Sequence, residues 1–514
     1  MRNDDPAKQN KSEQPGGSLR ARVFSGVAWS LLQTAGSRLL SMVIILVLAR
    51  LLGPEAFGIV TIAFVVLGAL TTFVDLGVAD VLVRRVPQDQ ADYDAAFWVA
   101  LSFSLVLGAA AAAMAGTLAV ALKQPLLPPL LWIVASTLPL SAIEVIQAAR
   151  MRAEMQFKRL ALRSLIATLV GGTVGIAMAL GGASYWSLLA KGLAEAATSV
   201  VLLWASSSYR PRLQFSWQRW SSLFESAKHL LGSRMLDIVN QRYDAFVISA
   251  RLGPIELGLY AAGQRLYAAL LETLFTTVNR VTLPAFARMG GDSERIQRAL
   301  LRLIRVTSFF TFPMFAAMGL LAEPLIVTLL GEPWSRAAPV LSALCVGGFL
   351  FSVSYYNAPL FTAAGRTELL FRLMLANAAL ILLAVSVGSF WGVVGVALGF
   401  ALRGYVLLPL NLSYLRRAIG LSPWTWLATL APAALATALS SAILATAQLL
   451  LSSVGTPVRL LALAALFPLV HALVVIALVP GLLATILEEL STLHPLLGRL
   501  SRILRRWESI ISRK

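Results

Sequence analysis

Long apolar stretches separated by short polar segments run through the chain from about residue 23 to residue 480. Examples are MVIILVLA at 42–49 and LALAALFPLVHALVVIALVP at 461–480. A bilayer core about 30 Å thick needs roughly 20 such residues per helix. The pattern therefore predicts an all-α polytopic membrane protein with about 14 transmembrane helices.

Two stretches that start 200 residues apart have the same turn, ARLLGPEAFGIV at 49–60 and SARLGPIELGLY at 249–260. They share leucine, glycine, proline and glycine at positions 52/252, 53/253, 54/254 and 58/258. Proline cannot continue a helix and glycine tolerates the reversal, so each copy is predicted to end one helix and start another. Six predicted helices separate the copies, and this even number places both on the same side of the membrane.

The repeat predicts two parallel six-helix bundles, a plan found in transporters whose substrate path lies between the halves. The bundles are predicted at 23–206 and 225–415, joined by a cytoplasmic linker at 207–224 and followed by two additional transmembrane helices within 416–480. Residues 1–22 are predicted to be a disordered cytoplasmic tail. Residues 481–514 are predicted to be a cytoplasmic tail with a basic amphipathic helix on an anionic leaflet, with a partner protein's groove as the alternative.

The composition agrees with a membrane protein, because 58% of the residues are hydrophobic and only 13% are charged, with a mean hydropathy of +0.77. The formal net charge of +18 comes largely from alternate loops such as ARMRAEMQFKR at 149–159. Cytoplasmic loops of membrane proteins collect lysine and arginine. We therefore interpret the charge as orientation, with both termini cytoplasmic, and we do not predict nucleic-acid binding.

Charged side chains within the predicted spans indicate a candidate site, because such groups usually face a bundle interior or a watery cavity. Their helical spacing predicts a polar, cationic cleft between the bundles. Arginine suits an anionic headgroup because its planar fork holds phosphate oxygens in pairs and stays charged when desolvated. The candidate substrate-binding residues are Arg38, Arg234, Arg242, Arg265, Arg280 and Lys191.

Four carboxylates in the same helices allow two interpretations. They could neutralise nearby cations and fasten the helices together, or they could carry H⁺ or Na⁺, as intramembrane carboxylates do in transporters. No other cofactor and no metal site are predicted. The four carboxylates are Asp237, Asp244, Glu272 and Glu195.

Sequence signals of catalysis are missing. The chain has no GxxxxGK[ST], HExxH or GxSxG motif, so no phosphate-binding loop, zinc-protease helix or nucleophile elbow is predicted. Cys345 is the single cysteine, which excludes an internal disulfide and a cysteine-rich metal site. We therefore predict that the protein is not an enzyme.

Several segments resemble the Wzx-like polysaccharide-unit flippases of the MOP exporter superfamily, and together they touch most of residues 25–415. In that superfamily two six-helix bundles, usually with two added helices, open alternately to the two sides. The segments are residues 49–85, NQRYDAFVISARLGPIELGLYAAGQRLY (240–267), VNRVTLPAFARM (278–289), GEPWSRAAPVLSALC (331–345) and AAGRTELLFRLMLANAA (363–379).

The resemblance implies a multi-pass protein of the bacterial inner membrane that moves an undecaprenyl-pyrophosphate-linked oligosaccharide. Implied partners are this cargo, membrane lipids and other polysaccharide-assembly proteins. A peptidoglycan-precursor flippase shares the fold and the cationic cleft, and a cation-coupled multidrug exporter of the same superfamily needs an acidic cleft instead. A membrane-bound glycan polymerase or ligase needs a long external loop, whereas the predicted external loops are short.

Overall fold

The computed structural model describes residues 15–75, 82, 89–214, 216–289 and 292–478. Those residues form fifteen α-helices and two short 3-10 helices, and no strand occurs among them. The predicted tail at 481–514 lies outside the described residues. The helices are α1 (Pro15–Asp75), α2 (Gln90–Ala121), α3 (Leu127–Ala153), α4 (Phe157–Leu180), α5 (Trp186–Ser206), α6 (Trp217–Arg251), α7 (Pro254–Ala287), α8 (Ser293–Leu320), α9 (Ala322–Leu330), α10 (Ala338–Ser354), α11 (Asn357–Ala363), α12 (Thr367–Gly388), α13 (Gly392–Ile419), α14 (Pro423–Leu450) and α15 (Thr456–Leu478), with 3-10 helices at Glu332–Ala337 and Ser389–Trp391.

The described part contains ten segments long and apolar enough to cross a membrane. Three of the ten contain two α-helices each. Gly36–Val74 is kinked at Gly53, Glu332–Ala363 contains α10 and α11, and Thr367–Ile419 is interrupted by the 3-10 helix at 389–391. Large apolar side chains such as Val120, 80% exposed, lie on helix surfaces, as expected where lipid replaces water. The chain is therefore an all-α, multi-pass membrane protein, and the number of fourteen spans stays a prediction.

Helix α1 begins at Pro15 and so includes residues 15–22, which the sequence pattern assigns to a tail. Leucine, arginine and alanine within this stretch are all good helix formers. The polar composition that suggested disorder therefore does not prevent these residues from continuing the first helix.

Both copies of the repeated turn have the same backbone conformation. Gly53 has a φ of 76° and Gly253 a φ of 90°, a region that side chains disfavour and glycine enters freely. Each glycine is followed by proline, at which α7 begins in the second copy and α1 resumes after its kink in the first. The predicted role of Gly-Pro in ending one helix and starting the next is confirmed.

The two copies of the turn also contact each other, and they do so reciprocally. A methyl group added at Gly58 would overlap the carbonyl oxygen of Pro254, and one added at Gly258 would overlap that of Pro54. A contact in which each partner uses the same surface indicates a local two-fold relation. We call residues 52–58 and 252–258 the paired turn. Only glycine fits at its two points of closest approach.

The described residues divide into two compact units, and the paired turn lies within one of them. The first unit comprises the described parts of Met1–Leu51, Val66–Leu118 and Leu126–Ser233, and the second those of Leu52–Val65, Ala119–Pro125 and Arg234–Lys514. Aromatic and aliphatic side chains fill each core, including Phe97, Ile146 and Leu223 in the first and Ile304, Phe361 and Trp426 in the second.

The segment after α5 is fastened to α2 and α3 of the first unit. Tyr209 is buried, and its hydroxyl donates a hydrogen bond to Asp94 Oδ1 at 2.7 Å. Burial, together with this hydrogen bond, raises the pKa of Tyr209. The Arg150 guanidinium lies 5.1 Å from the Tyr209 ring centre, and Gln147 Nε2 donates to the Tyr209 carbonyl at 3.3 Å. The start of the predicted linker is therefore held in a fixed position on this unit.

Candidate functional site

Asp244 is fully buried on α6, in the second unit, and its carboxylate is well supplied with donors. The Tyr260 hydroxyl donates to Oδ2 at 2.5 Å, and Gln264 Nε2 donates to the same oxygen at 3.3 Å. The backbone N–H of Ala245 donates to Oδ1 at 2.8 Å. Because Tyr260 and Gln264 are four residues apart on α7, the carboxylate fastens the two helices of the hairpin together.

A chain of polar contacts joins this hairpin to α12 and α13. Asn377 Nδ2 on α12 donates to Asn240 Oδ1 on α6 at 2.8 Å, and Arg403 Nε on α13 donates to Asn377 Oδ1 at 3.2 Å. Tyr243 and Ser386 share a hydrogen bond of 2.7 Å between their hydroxyls. The Arg403 cation also acts electrostatically on Asp244. These partly buried polar groups bond to one another and, together with buried Asp244, join four helices.

Among the predicted substrate-binding residues of the second unit whose side chains the structure describes, Arg242 and Arg265 are both exposed. Arg242 precedes Gly253 by eleven residues and Arg265 follows it by twelve. At 1.5 Å of rise per residue, both lie roughly 17 Å from the turn, about half the thickness of a bilayer core. Among the described residues neither forms a salt bridge, so both guanidinium groups can pair with an anion at this depth.

The guanidinium of Arg265 lies on an aromatic platform. Its central carbon is 4.8 Å from the ring centre of Phe57, which lies beside Gly58 in the paired turn. The Phe57 ring packs edge-on against Trp334, with 5.6 Å between ring centres and 86° between planes. Phe57 and Trp334 are buried. The ring attracts the cation without using its N–H groups as hydrogen-bond donors, so these stay available for a ligand.

In the first unit, Lys191 and Glu195 are paired with each other. Lys191 Nζ lies 2.5 Å from Glu195 Oε2, and the Thr168 hydroxyl donates to Glu195 Oε1 at 2.8 Å. Helix α4 approaches this pair through Gly171 and Gly175, where an added methyl group would come within 2.8 Å of Lys191 or Glu195 atoms. This close approach of two helices at small residues is typical of membrane interfaces. Lys191 is thus neutralised within its own unit.

The other predicted site residues are either exposed or have side chains outside the described part of the chain. Arg38 on α1 and Glu272 on α7 have exposed side chains. The side chains of Arg234, Asp237 and Arg280 lie outside the described residues. Within the described part, no group of three or more histidine, cysteine, aspartate or glutamate side chains is placed to hold a metal ion. The cleft between the two predicted bundles, and the membership of these residues in it, stay predictions.

A family model described as "Polysaccharide biosynthesis protein" matches residues 47–339. The chain is also 30% identical over 370 residues to the succinoglycan biosynthesis transport protein ExoT of Rhizobium meliloti (strain 1021), an alignment that covers 72% of this chain and 75% of that protein. The chain belongs to the polysaccharide biosynthesis protein family. A further relative of this family member is the lipopolysaccharide biosynthesis protein WzxC of Escherichia coli (strain K12), at 26% identity over 75% of this chain and 79% of WzxC.

Solved structures show the fold of this family member. The chain superposes on a lipid II flippase MurJ in an inward closed conformation with a TM-score of 0.70 at 14% identity, covering 88% of this chain and 98% of that one. An inward-facing multidrug resistance MATE family transporter of the MOP superfamily gives a TM-score of 0.61 at 14% identity, covering 76% and 98%. The MOP-type fold expected from the sequence resemblance is confirmed.

Four residues that shape the site of this family member were not predicted from the sequence: Phe57, Trp334, Tyr260 and Gln264. Tyr260 and Gln264 share a face of α7 by their spacing of four residues, and this signal could have paired them with a carboxylate on the preceding helix. Phe57 and Trp334 lie 277 positions apart in the sequence, and nothing local indicates that they meet.

The Lys191–Glu195 pair leads to a prediction that separates a structural role from cargo binding. Lys191→Met leaves Glu195 charged and partly buried, so we expect a loss of about 1–3 kcal/mol of stability. The double variant Lys191→Met/Glu195→Gln should recover most of this loss and transport at close to the wild-type rate. Thermal unfolding in detergent and transport in proteoliposomes measure the two effects. A double variant that is stable but inactive would assign Lys191 to the cargo instead.

Proposed function

We propose that this protein moves a lipid-linked oligosaccharide, carried on undecaprenyl pyrophosphate, across the bacterial inner membrane by alternating access. The transported unit would serve polysaccharide biosynthesis, such as that of an exopolysaccharide or a lipopolysaccharide. Membership of the family and the names of the relatives, a succinoglycan transport protein and a lipopolysaccharide biosynthesis protein, support this class of cargo. In this proposal the protein is a transporter and not an enzyme.

The observation that carries the proposal is the pair of exposed guanidinium groups of Arg242 and Arg265, each roughly 17 Å along its helix from the turn. A guanidinium without a salt bridge is costly inside a bilayer, and an anionic headgroup bound there would offset this cost. A pyrophosphate supplies oxygens that accept two parallel hydrogen bonds from one guanidinium. The lipid tail would stay in the bilayer while the headgroup crosses.

The basic loops support an orientation with both termini in the cytoplasm and the paired turn on the opposite, external side. The carboxylates are assigned in the same proposal. Asp244 and Glu195 act as counter-charges, since each is held by donors of its own unit. Coupling to H⁺ or Na⁺ stays assigned to Asp237 or Glu272. Other polysaccharide-assembly proteins would meet the cargo on either side.

The proposal is tested with purified full-length protein in proteoliposomes. A fluorescent undecaprenyl-pyrophosphate oligosaccharide is followed as it becomes accessible to a membrane-impermeant glycosidase on the far side. A lipid-linked peptidoglycan precursor and a cationic drug serve as competing cargoes. We expect the oligosaccharide to cross fastest. Preferential movement of the precursor would favour the peptidoglycan alternative, and movement of the drug alone would favour the multidrug exporter.

A further inference from the structure

The segment at 331–336, GEPWSR, contacts both copies of the paired turn. Trp334 packs edge-on against Phe57 of α1, in the first copy. Arg336 forms a salt bridge with Glu256, which belongs to the second copy. One short 3-10 helix therefore holds the two turns together and supports the ring on which Arg265 lies. This gives a physical role to a segment that the sequence marked only by resemblance.

The contact between the two copies fixes where Phe57 lies. Gly58, the next residue, fits against the carbonyl of Pro254, and Gly258 fits against the carbonyl of Pro54, with no space for a side chain at either position. If the two turns separate, Phe57 moves with the first copy, whereas Arg265 lies on α7 and moves with the second. The stacking of Arg265 on Phe57 therefore depends on closure of the paired turn.

We propose that Phe57 is a positioning residue that holds Arg265 for an anionic, pyrophosphate-type headgroup, and that the paired turn controls this site. With the turn closed, the guanidinium is held over the ring and its N–H donors are available to the anion. Opening the turn withdraws the ring, and the affinity for the anion falls at the moment when the external side opens. This inference rests on the proposed function for the identity of the anion.

The expected size of the effect follows from the strength of a cation–π contact. Such contacts correspond to about 2- to 30-fold in an equilibrium constant, with the larger values in desolvated surroundings. The Phe57 ring is 2% exposed whereas Arg265 is exposed, so a value inside this range, about 10-fold, is expected. A preorganised arginine also loses less side-chain freedom on binding, which acts in the same direction.

The first test measures binding of a fluorescent short-chain prenyl pyrophosphate to the full-length protein in lipid nanodiscs. Phe57→Leu keeps the apolar volume and removes the aromatic face, so it should weaken binding about 10-fold. Phe361→Leu is the matched control, because Phe361 is an equally buried ring in the core of the same unit and lies outside the platform. The control should bind the probe within about twofold of wild type.

The second test opens the paired turn directly. Gly58→Ala forces a methyl group against Pro254, whereas Gly116→Ala adds one at a position with no neighbouring atom within 4 Å. A reporter cysteine at buried Ala56, in a background in which the single native Cys345 is replaced by serine, measures opening by its reaction with a charged thiol reagent. Gly58→Ala should weaken binding about as much as Phe57→Leu and increase the labelling. Gly116→Ala should do neither.

The double variant Phe57→Leu/Gly58→Ala tests whether the paired turn affects binding through the Phe57 ring or independently of it. If the turn acts by moving the ring, the two losses do not add, because the ring has already left Arg265. Additive losses, wild-type binding by Phe57→Leu, or no pyrophosphate binding by the wild-type protein would each overturn the inference. If Gly58→Ala does not fold, the comparison of Phe57→Leu with Phe361→Leu still decides. Failure of oligosaccharide transport with intact, Phe57-dependent binding would contradict only the proposed function.

Discussion

Replacing Arg265 by glutamine is expected to reduce oligosaccharide transport by at least about tenfold. The guanidinium can form two charge-assisted hydrogen bonds with a pyrophosphate, each with a net contribution of about 1.5–3 kcal/mol, and glutamine retains at most one neutral bond. A tenfold change needs only about 1.4 kcal/mol. The variant should still fold, because Arg265 is exposed, forms no salt bridge with any described residue, and loses only its contact with Phe57. Initial rates in proteoliposomes measure the effect.

Two further variants define what Arg265 contributes. Arg265→Lys keeps the positive charge and loses the planar fork and its stacking on Phe57, so we expect an intermediate rate. Arg372→Gln is the control: Arg372 is a surface arginine that pairs with Glu368 one turn earlier on α12. Exposed pairs of this kind contribute little, so its rate should stay within about twofold of wild type. Wild-type transport by a stable Arg265→Gln variant would remove Arg265 from the site.

The fold could be predicted from the sequence to the extent that its signals are local. The apolar runs predicted an all-helical membrane protein, and the duplicated Gly-Pro predicted two equivalent turns. The structure confirms both, with positive φ at Gly53 and Gly253. The contact between the two turns could not be predicted, because it depends on how distant helices pack. The shared Gly58 and Gly258 marked the position of the contact without indicating the partner of either residue.

The candidate site, like the fold, could be predicted only where its sequence signals are local. Spacing within one helix placed Lys191 and Glu195 on a common face, and they form a pair. The same reasoning grouped the charges of α6 and α7 without indicating that Asp244 would be buried among donors while Arg242 and Arg265 stay exposed. Burial depends on the neighbouring helices. The aromatic partners of these charges follow the apolar periodicity of their helices, so their polar roles could not be distinguished from packing.

The other large effect is expected at Asp244. Asp244→Leu removes the carboxylate that accepts hydrogen bonds from the Tyr260 hydroxyl, the Gln264 amide and the Ala245 N–H. These donors then lose their shared acceptor in the protein interior. Breaking a buried polar network in this way costs about 3–5 kcal/mol. We therefore expect a strongly lowered unfolding temperature and little folded protein in the membrane. Ser440→Ala, which removes one buried hydroxyl near His471 in the same unit, provides a control for the loss of a single buried hydrogen bond.

The Asp244→Asn variant tests whether Asp244 is a fixed counter-charge or the group that carries the coupling ion. The amide keeps the shape and one acceptor oxygen but turns a donor toward Gln264 or Ala245, so a loss of about 1–3 kcal/mol is expected. As a counter-charge, Asp244 does not exchange protons or Na⁺ during transport. The variant's rate should therefore depend on pH and on Na⁺ as the wild-type rate does. Proteoliposome rates across a range of pH, with and without a Na⁺ gradient, measure this. A variant that folds but no longer responds to either ion would identify Asp244 as the coupling group.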